Sequence, residues 1–458
     1  MSHGRRNTLG NTPPGEIGVG LIGLGVVGGG VARALIERRD YFARQVGAPL
    51  VVRRAVVRDV AKPRTVDLPP GVITTNVAEV LDDPGIDIVV EVIGGEEPAG
   101  SFIRAAITAG KHVVTANKEL IAKQGPELLA AAHAKGLDIM FEASVGGGIP
   151  LIAPLRRDLL ANRIASIRAI INGTTNYILT SMARDGAVAE ALQSQGIEPA
   201  GGGGFAQALA SAQELGYAEA DPTNDVEGFD SAYKLAIMAS LAFRTPVSPA
   251  DIHIEGITKL AARDFRYAAE LGYVIKLLAI AERAEGGIFA RVAPVFLPHL
   301  EPLAKVDGVY NAVQIVGDLT GTMLFQGRGA GAEPTSSAVV ADILDLSHSI
   351  VLGARERKYW GPEGDLPVLG LDALETRFYL RVRVSDQPGV LAQIAQSLGN
   401  HGVSIAAVNQ KEADPGERTA ELVVMTHRAR EGDMQAALRE IRALPIVIEI
   451  GAFLRVEA

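Results

Sequence analysis

An α/β chain in three parts is predicted, on three observations. Near the N-terminus an apolar run, Ile17 to Ile22, passes through the glycine turn Gly23-Leu24-Gly25-Val26-Val27-Gly28 into a helical stretch, Val31 to Arg39. Apolar strand-like runs and helical runs then alternate as far as Glu142, the pattern of a parallel sheet covered by helices. The last 82 residues, from Arg377, begin with a period-2 strand and follow the order β-α-β-β-α-β, a ferredoxin-like arrangement. Residues 146–326, between these parts, mix strands and helices as an α+β region with a sheet of its own.

Composition bounds what such a chain does. At 458 residues it exceeds a single core, so two or three domains are expected, and 48% hydrophobic with 21% charged residues is a globular balance. A net charge of -9 argues against a general nucleic-acid or anionic-membrane surface. The absence of cysteine excludes disulfides, thiolate metal sites and thiol nucleophiles, and with them oxidation of an aldehyde through a cysteine thioester. Ile17 to Ala32 follows Arg5-Arg6 but does not read as an export signal. It is rich in glycine, is separated from the arginines by Pro13, Pro14 and Glu16, and runs into a helix without a cleavage site. No other run approaches the ~20 apolar residues of a membrane span, and a cytoplasmic protein is expected.

After a loose tail of residues 1–16, the first part covers residues 17–145. In its glycine turn Gly23 makes the tight bend, Gly25 lets a pyrophosphate approach the backbone, and Gly28 lets helix and strand pack closely. The free amides around Val26 and Val27 then face the phosphates, which makes this a Rossmann-type dinucleotide-binding unit. The second strand, Leu50 to Val57, ends in Arg58-Asp59, later than the acid that would select NAD, with Lys62 and Arg64 following. Arg58 suits a 2′-phosphate and equally a solvated strand end, so the choice between NADP and NAD stays open. Ile86 to Ile93 is a buried strand, Pro98 to Ala109 a helix, and Lys111 to Thr115 a strand running into Ala116-Asn117-Lys118. Strand C-terminal ends line the ligand crevice of such sheets, which places Thr115 and Lys118 where a nicotinamide and its substrate would meet. Helix Pro126 to Ala134 and strand Asp138 to Glu142 lead to the glycine-rich turn Ala143 to Pro150. Its carbonyls, with Glu142, suit a hard cation; the residue types alone favour a hinge.

The second part opens with strand Ala165 to Ile171, the polar loop Asn172 to Asn176 and helix Tyr177 to Arg184. Asn and Thr there either cap the helix or hydrogen-bond a small polar substrate. Gly201 to Gly204 and helix Phe205 to Leu215 precede an acidic stretch with Glu219, Asp221, Asp225 and Glu227, ahead of a helix starting near Gly228. That helix carries Asp230 and Lys234, four residues apart and so on one face, before the apolar run LAIMASLAF. A lysine at the edge of a core is poised for proton transfer: burial works against its charge and the adjacent aspartate for it. The competing reading is an ordinary surface ion pair, which would contribute little. Strand-like runs at Ile288 to Phe296, Gly308 to Val316 and Met323 to Gln326 supply the sheet. Gly327 to Gly331, with Gly329 a candidate cofactor contact, opens the helix Pro334 to Leu346 and closes residues 327–346 back onto the nucleotide part. Residues 347–376 read as a linker.

In the last part, residues 377–458, Phe378, Leu380, Val382 and Val384 share one strand face, and Asp386 to Val390 turns into helix Leu391 to Asn400. Val403 to Gln410, Thr419 to Thr426, helix Met434 to Leu444 and Ile446 to Phe453 follow. A small sheet with one face free suits dimerisation or ligand sensing.

With these motifs in hand the chain resembles the homoserine dehydrogenase family over about residues 17–345; GYAEADPTNDVEGFDSAYKL, Gly216 to Leu235, is close to the family signature. The C-terminal part looks like an ACT domain, with the D-x-P-G-V-L turn at Asp386 to Leu391, as in the monofunctional, threonine-regulated form. The resemblance implies NAD(P)H-dependent, reversible reduction of L-aspartate 4-semialdehyde to L-homoserine. It makes Lys234 the proton donor, Asp230 its partner and Lys118 a second essential lysine. It also implies that Glu219 and Asp225 hold the substrate beside Gly173, and that a sodium ion sits at Glu142, Val145, Gly147 and Ile149. An L-threonine effector and a homodimer or homotetramer follow in the same way. Two alternatives are another amino-acid oxidoreductase, such as aspartate dehydrogenase, and a non-catalytic nucleotide-sensing regulator.

Overall fold

The computed structural model describes residues 15–194, 204–354, 364–414 and 418–457. The tail to residue 14, Gly201 to Gly203 and residues 355–363 of the expected linker lie outside the described residues. The chain divides into two compact units, one of residues 1–160, 244–246 and 330–364, the other of 161–243, 247–329 and 365–458.

In chain order the first elements are β1 (Ile17–Ile22), α1 (Val26–Glu37), α2 (Arg39–Val46), β2 (Leu50–Val56), β3 (Ile73–Thr74) and α3 (Ala78–Leu81). Next come β4 (Ile88–Glu91), α4 (Ala99–Thr108), β5 (His112–Thr115), α5 (Lys118–His133) and β6 (Ile139–Met140). The second unit then has β7 (Ile164–Ile170), α6 (Gly173–Ser194), α7 (Phe205–Glu214), α8 (Thr223–Val226), α9 (Phe229–Phe243), β8 (His253–Ile254) and α10 (Ala262–Glu270). Four strands follow, β9 (Tyr273–Ala284), β10 (Gly287–Pro298), β11 (Tyr310–Gly317) and β12 (Gly321–Arg328), then α11 (Ala332–Val351). The C-terminal elements are β13 (Glu375–Ser385), α12 (Val390–Asn400), β14 (Ile405–Asp414), β15 (Thr419–Thr426), β16 (Ala429–Arg430), α13 (Glu431–Ala443) and β17 (Val447–Val456).

The first unit holds a six-stranded, wholly parallel sheet in the order β3-β2-β1-β4-β5-β6, the doubly wound order of dinucleotide-binding folds. Every residue of β1 and β4 is buried, as expected for strands covered on both faces. Val31, Ala32 and Leu35 of α1 join Ile343 and Leu346 of α11 in the same core, so the helix after β12 belongs to this unit. A Cβ on Gly30 would lie 2.3 Å from Ser336 Oγ, so the two helices touch at a glycine.

Three expected boundaries move here, and the first is that α1 starts at Val26 and not at Val31. Helix α5 starts at Lys118 and not at Pro126, because Asn117 caps it, its side chain accepting from the Leu120 amide at 3.1 Å, and Pro126 is carried inside. Helix α11 runs on to Val351, into the stretch expected as linker.

The second unit is built on an eleven-stranded sheet whose main path is β12-β11-β7-β9-β10-β17-β13-β15-β14. Strand β9, which the sequence reading did not foresee, pairs along its whole length with β10, from Tyr273↔Pro298 to Ala284↔Gly287. The C-terminal module joins the same sheet, since β17 pairs in parallel with β10 at Val295↔Arg455 and Phe296↔Val456. Phe378, Leu380, Val382 and Val384 face the module's core with Ile394, Leu398 and Leu438.

The opposite face of β13 is not free as expected. Tyr379 stacks on Phe296 with ring centroids 4.3 Å apart, and Arg381 forms a forked pair with Asp264 of α10 at 2.7 and 3.1 Å. Tyr267 of α10 donates to Glu421 of β15 at 2.7 Å. These groups are all buried, so one helix of the same unit covers the face.

Candidate active site

In the first unit the glycine turn has the shape a pyrophosphate requires. Gly23 adopts φ 107°, and a Cβ there would come within 3.0 Å of the Val92 carbonyl. A Cβ on Gly28 would lie 2.1 Å from the Gly23 carbonyl oxygen, whereas around Gly25 there is nothing within 4 Å. Gly25 is the N-cap of α1 and makes no side-chain cap, which leaves the amides near Val26 and Val27 open to an anion, with Val26 exposed. Arg58 is exposed just beyond β2, while Arg64 folds back and donates to the Leu24 carbonyl at 3.1 Å, bracing the turn.

The neighbouring strand ends are tied by a residue the sequence reading passed over. Glu91, wholly buried at the end of β4, accepts from the Ile93 and Gly94 amides at 2.8 and 3.1 Å and from the Thr115 hydroxyl at 2.6 Å. Thr115 Oγ1 accepts in turn from the Asn117 amide at 3.0 Å. The signal was present: a single acid in the apolar run IDIVVEVI. This network fixes the start of α5, whose first residue is the half-buried Lys118.

The glycine-rich turn is pinned by Glu142. Its Oε1 accepts from the Leu151 and Ile152 amides at 2.6 and 2.9 Å and its Oε2 from Ala153 at 2.7 Å. One lone pair of Oε2 is left by that count. Gly146 and Gly147 both adopt positive φ, 73° and 55°, and so curl the backbone of Val145 to Ile149. One carboxylate oxygen and a curl of carbonyls fit a hard cation such as sodium. Among the described residues no group of three or more His, Asp or Glu side chains gathers as a metal site. Asp342 of α11 accepts the Glu142 amide at 2.8 Å, and burial holds its carboxyl well above the usual carboxylate range.

The second unit brings the acid and lysine residues together. Gly228, at φ 89°, turns the chain from α8 into α9, and one turn into α9 the Lys234 ammonium donates to Asp230 Oδ2 at 2.7 Å and to the Ile171 carbonyl at 2.9 Å. Both side chains are buried, so this is not the surface ion pair of the competing reading. Asn172, at the mouth of α6, donates to Asp225 Oδ1 at 2.7 Å and to Asp230 Oδ2 at 2.9 Å. The loop Asn172 to Asn176 is thus the capped first turn of a helix that begins at Gly173 and not at Tyr177.

Burial, followed by the Asp230 charge, pushes the Asp225 carboxyl above its ordinary value; Asn172, Lys234 and Thr174 push the other way. Gly173 is closely packed, since a Cβ there would lie 2.9 Å from the Val309 carbonyl oxygen. Glu219 is exposed in the loop between α7 and α8, and among the described residues its carboxylate joins no hydrogen bond of the cluster. Gly329 has a packing reason to be glycine: a Cβ would meet the buried Asn311 side chain at 2.0 Å. Lys118 and Lys234 fall in different units.

Comparison with known proteins agrees along the chain. Residues 23–142 match the model of the homoserine dehydrogenase NAD binding domain, residues 150–344 the homoserine dehydrogenase model, and residues 378–446 the ACT domain. A curated homoserine dehydrogenase of Synechocystis sp. is 46% identical over 415 residues, 88% of this chain and 92% of that protein. The crystal structure of a homoserine dehydrogenase from Thiobacillus denitrificans aligns with TM-score 0.88 and 45% identity, over 96% of this chain and 98% of that one. A hyperthermophilic archaeal homoserine dehydrogenase in complex with NADPH aligns with TM-score 0.59 and 26% identity, over 74% of this chain and 98% of that one.

Proposed function

The chain belongs to the homoserine dehydrogenase family, and we propose on that premise that it reversibly reduces L-aspartate 4-semialdehyde to L-homoserine with NADPH or NADH, on the way to threonine, methionine and isoleucine. It is an oxidoreductase with an NAD-binding domain, which displaces the nucleotide-sensing regulator, and its match to the homoserine dehydrogenase model and relatives displaces the aspartate dehydrogenase. The observation that carries the proposal is the buried pair of Lys234 and Asp230, linked through Asn172 to Asp225.

When bound, the nicotinamide supplies hydride to the carbonyl carbon. Lys234 gives a proton to the carbonyl oxygen as negative charge grows there, and takes it back in the oxidative direction. Asp230 and the Ile171 carbonyl hold that ammonium in place. Lys118, at the strand end of the first unit, is the second lysine that family membership makes essential to the reaction. Asp225 and Glu219 take the substrate ammonium, beside the closely packed Gly173. Gly23, Gly25, Val26, Val27 and Gly28 would hold the pyrophosphate, with Thr115 and Lys118 beside the dinucleotide and Arg58 at the ribose end, whereas Gly329, packed against Asn311 in the other unit, keeps its packing role. Glu142 and the carbonyls of Val145, Gly147 and Ile149 would hold a sodium ion, whose charge would offset that of the buried carboxylate. The same reading makes L-threonine the effector of the ACT domain, the assembly a homodimer or homotetramer, and the cytoplasm its compartment.

The test is absorbance at the reduced-nicotinamide band with L-homoserine and either NAD or NADP, with and without threonine. Reduction that depends on homoserine and not on aspartate, and that threonine lowers, is expected; no reduction with homoserine and either cofactor overturns the reading. Arg58→Ala is expected to raise KM for NADP about tenfold and to leave NAD almost unchanged, as loss of a 2′-phosphate contact would.

A further inference from the structure

Asn172 has a role that its position as a helix cap does not require. Its side-chain oxygen accepts from the Thr175 amide at 2.9 Å and from the Thr175 hydroxyl at 3.1 Å. An amide N–H is always a donor, so the Asn172 oxygen must face the helix and its NH2 must face the acids. The two N–H groups are then divided between Asp225, at 2.7 Å, and Asp230, at 2.9 Å. One side chain, itself 5% exposed, links two carboxylates that would otherwise repel each other inside the protein.

We propose that Asn172 is a positioning residue of the reaction: it holds Asp225 and Asp230 at a fixed separation, so that one carboxylate serves the substrate ammonium while the other stays on Lys234. This rests on the proposed roles of Asp225 and Lys234. The spacing is set by the fork of a single NH2 group, which places the two acceptor oxygens on the order of 5 Å apart. Asp230 Oδ2 receives both Asn172 and Lys234, so a shift of Asn172 moves the lysine's anchor as well. The charged groups facing Asp225 are Asp230 and Lys234, both on α9, with Asn172 and Thr174 opposite them at the start of α6. Of these, Asn172 is the first to favour the ionised carboxylate against burial and the Asp230 charge. Without it Asp225 either swings away or takes up a proton at higher pH, and in both cases the ammonium site is lost first.

The variant that isolates this role is Asn172→Ser. Serine caps a helix about as well as asparagine, but one hydroxyl cannot donate to two carboxylates. With the full-length chain, Asn172→Ser is expected to keep the parent's Tm within a few degrees and its KM for the cofactor. KM for L-homoserine is expected to rise at least tenfold, with a smaller fall in kcat, and the acid limb of kcat/KM to move to higher pH. Asn172→Asp, which keeps size and cap while placing a third carboxylate in the cluster, is expected to act in the same direction more strongly, and gives the readout should the serine variant not fold. Parent KM and an unmoved acid limb in a folded Asn172 variant would overturn the bridge. Asp225→Asn, measured alongside, separates the two ideas: parent KM there overturns the ammonium role of Asp225, whereas an impaired Asp225→Asn beside unimpaired Asn172 variants overturns only the bridge.

Discussion

Lys234 Nζ lies 2.7 Å from Asp230 Oδ2, one turn earlier on the same helix, and both side chains are buried. A buried ammonium without its carboxylate is costly, so the pair has a structural reason beside its proposed catalytic one. Asp230→Ala is expected to lower kcat about 10²-fold, the scale of a displaced proton donor, with KM for the cofactor unchanged. Steady-state kinetics on the folded variant checks this; a loss of stability with parent kcat would make the pair purely structural.

The two glycines of the nucleotide turn should part company. Gly28→Ala drives a methyl group to 2.1 Å from the Gly23 carbonyl oxygen and is expected to destabilise by about 1–3 kcal/mol. Gly25→Ala meets no atom within 4 Å and should leave Tm unchanged while raising the cofactor KM tenfold or more, because the methyl would stand at the proposed pyrophosphate site. Thermal melts and cofactor titrations on the two variants give the comparison. Equal cofactor affinity in Gly25→Ala would move the phosphate site elsewhere.

Acid should loosen the joint between the ACT domain and the rest of its unit. Burial pushes the Glu255 carboxyl up, but the hydrogen bond from His253 and the charge and hydrogen bond of Arg455 outweigh it and hold it down at about 2. Arg455, near the end of β17, lies 2.9 Å from Glu255 and 2.8 Å from Glu431. A carboxyl whose folded value is depressed contributes stability that is complete above its ordinary value and is lost as pH falls toward the folded one. The stability difference between the parent and Glu255→Gln should therefore shrink as pH falls below about 4.5 and vanish near pH 2. Denaturant melts over that range measure it, and a difference that does not change with pH would remove Glu255 from the joint.

Much of this was legible in the chain because it is local. The strand, glycine turn and helix from Ile17, and the four-residue spacing of Asp230 and Lys234, are set by short-range periods. What was missed is long-range. Tyr273 to Ala284 contains Leu, Ala, Glu and Lys, which suit a helix; only the full-length partner β10 makes it a strand. Asn172 reads as a cap, since Thr175 is three residues away, but Asp225 is 53 residues on and no pattern announces that contact. Gly125-Pro126 looked like a helix start and hid the cap at Asn117. The covered face of β13 depends on Asp264, more than a hundred residues before Arg381.

The central claim is that the Lys234 amine carries the proton of the carbonyl–alcohol interconversion. The most direct measurement is single-turnover reduction of NADP or NAD by L-homoserine with Lys234→Ala, alongside a cofactor titration of the same preparation. The account predicts cofactor affinity within a few-fold of the parent and no detectable turnover; parent-like turnover would contradict it.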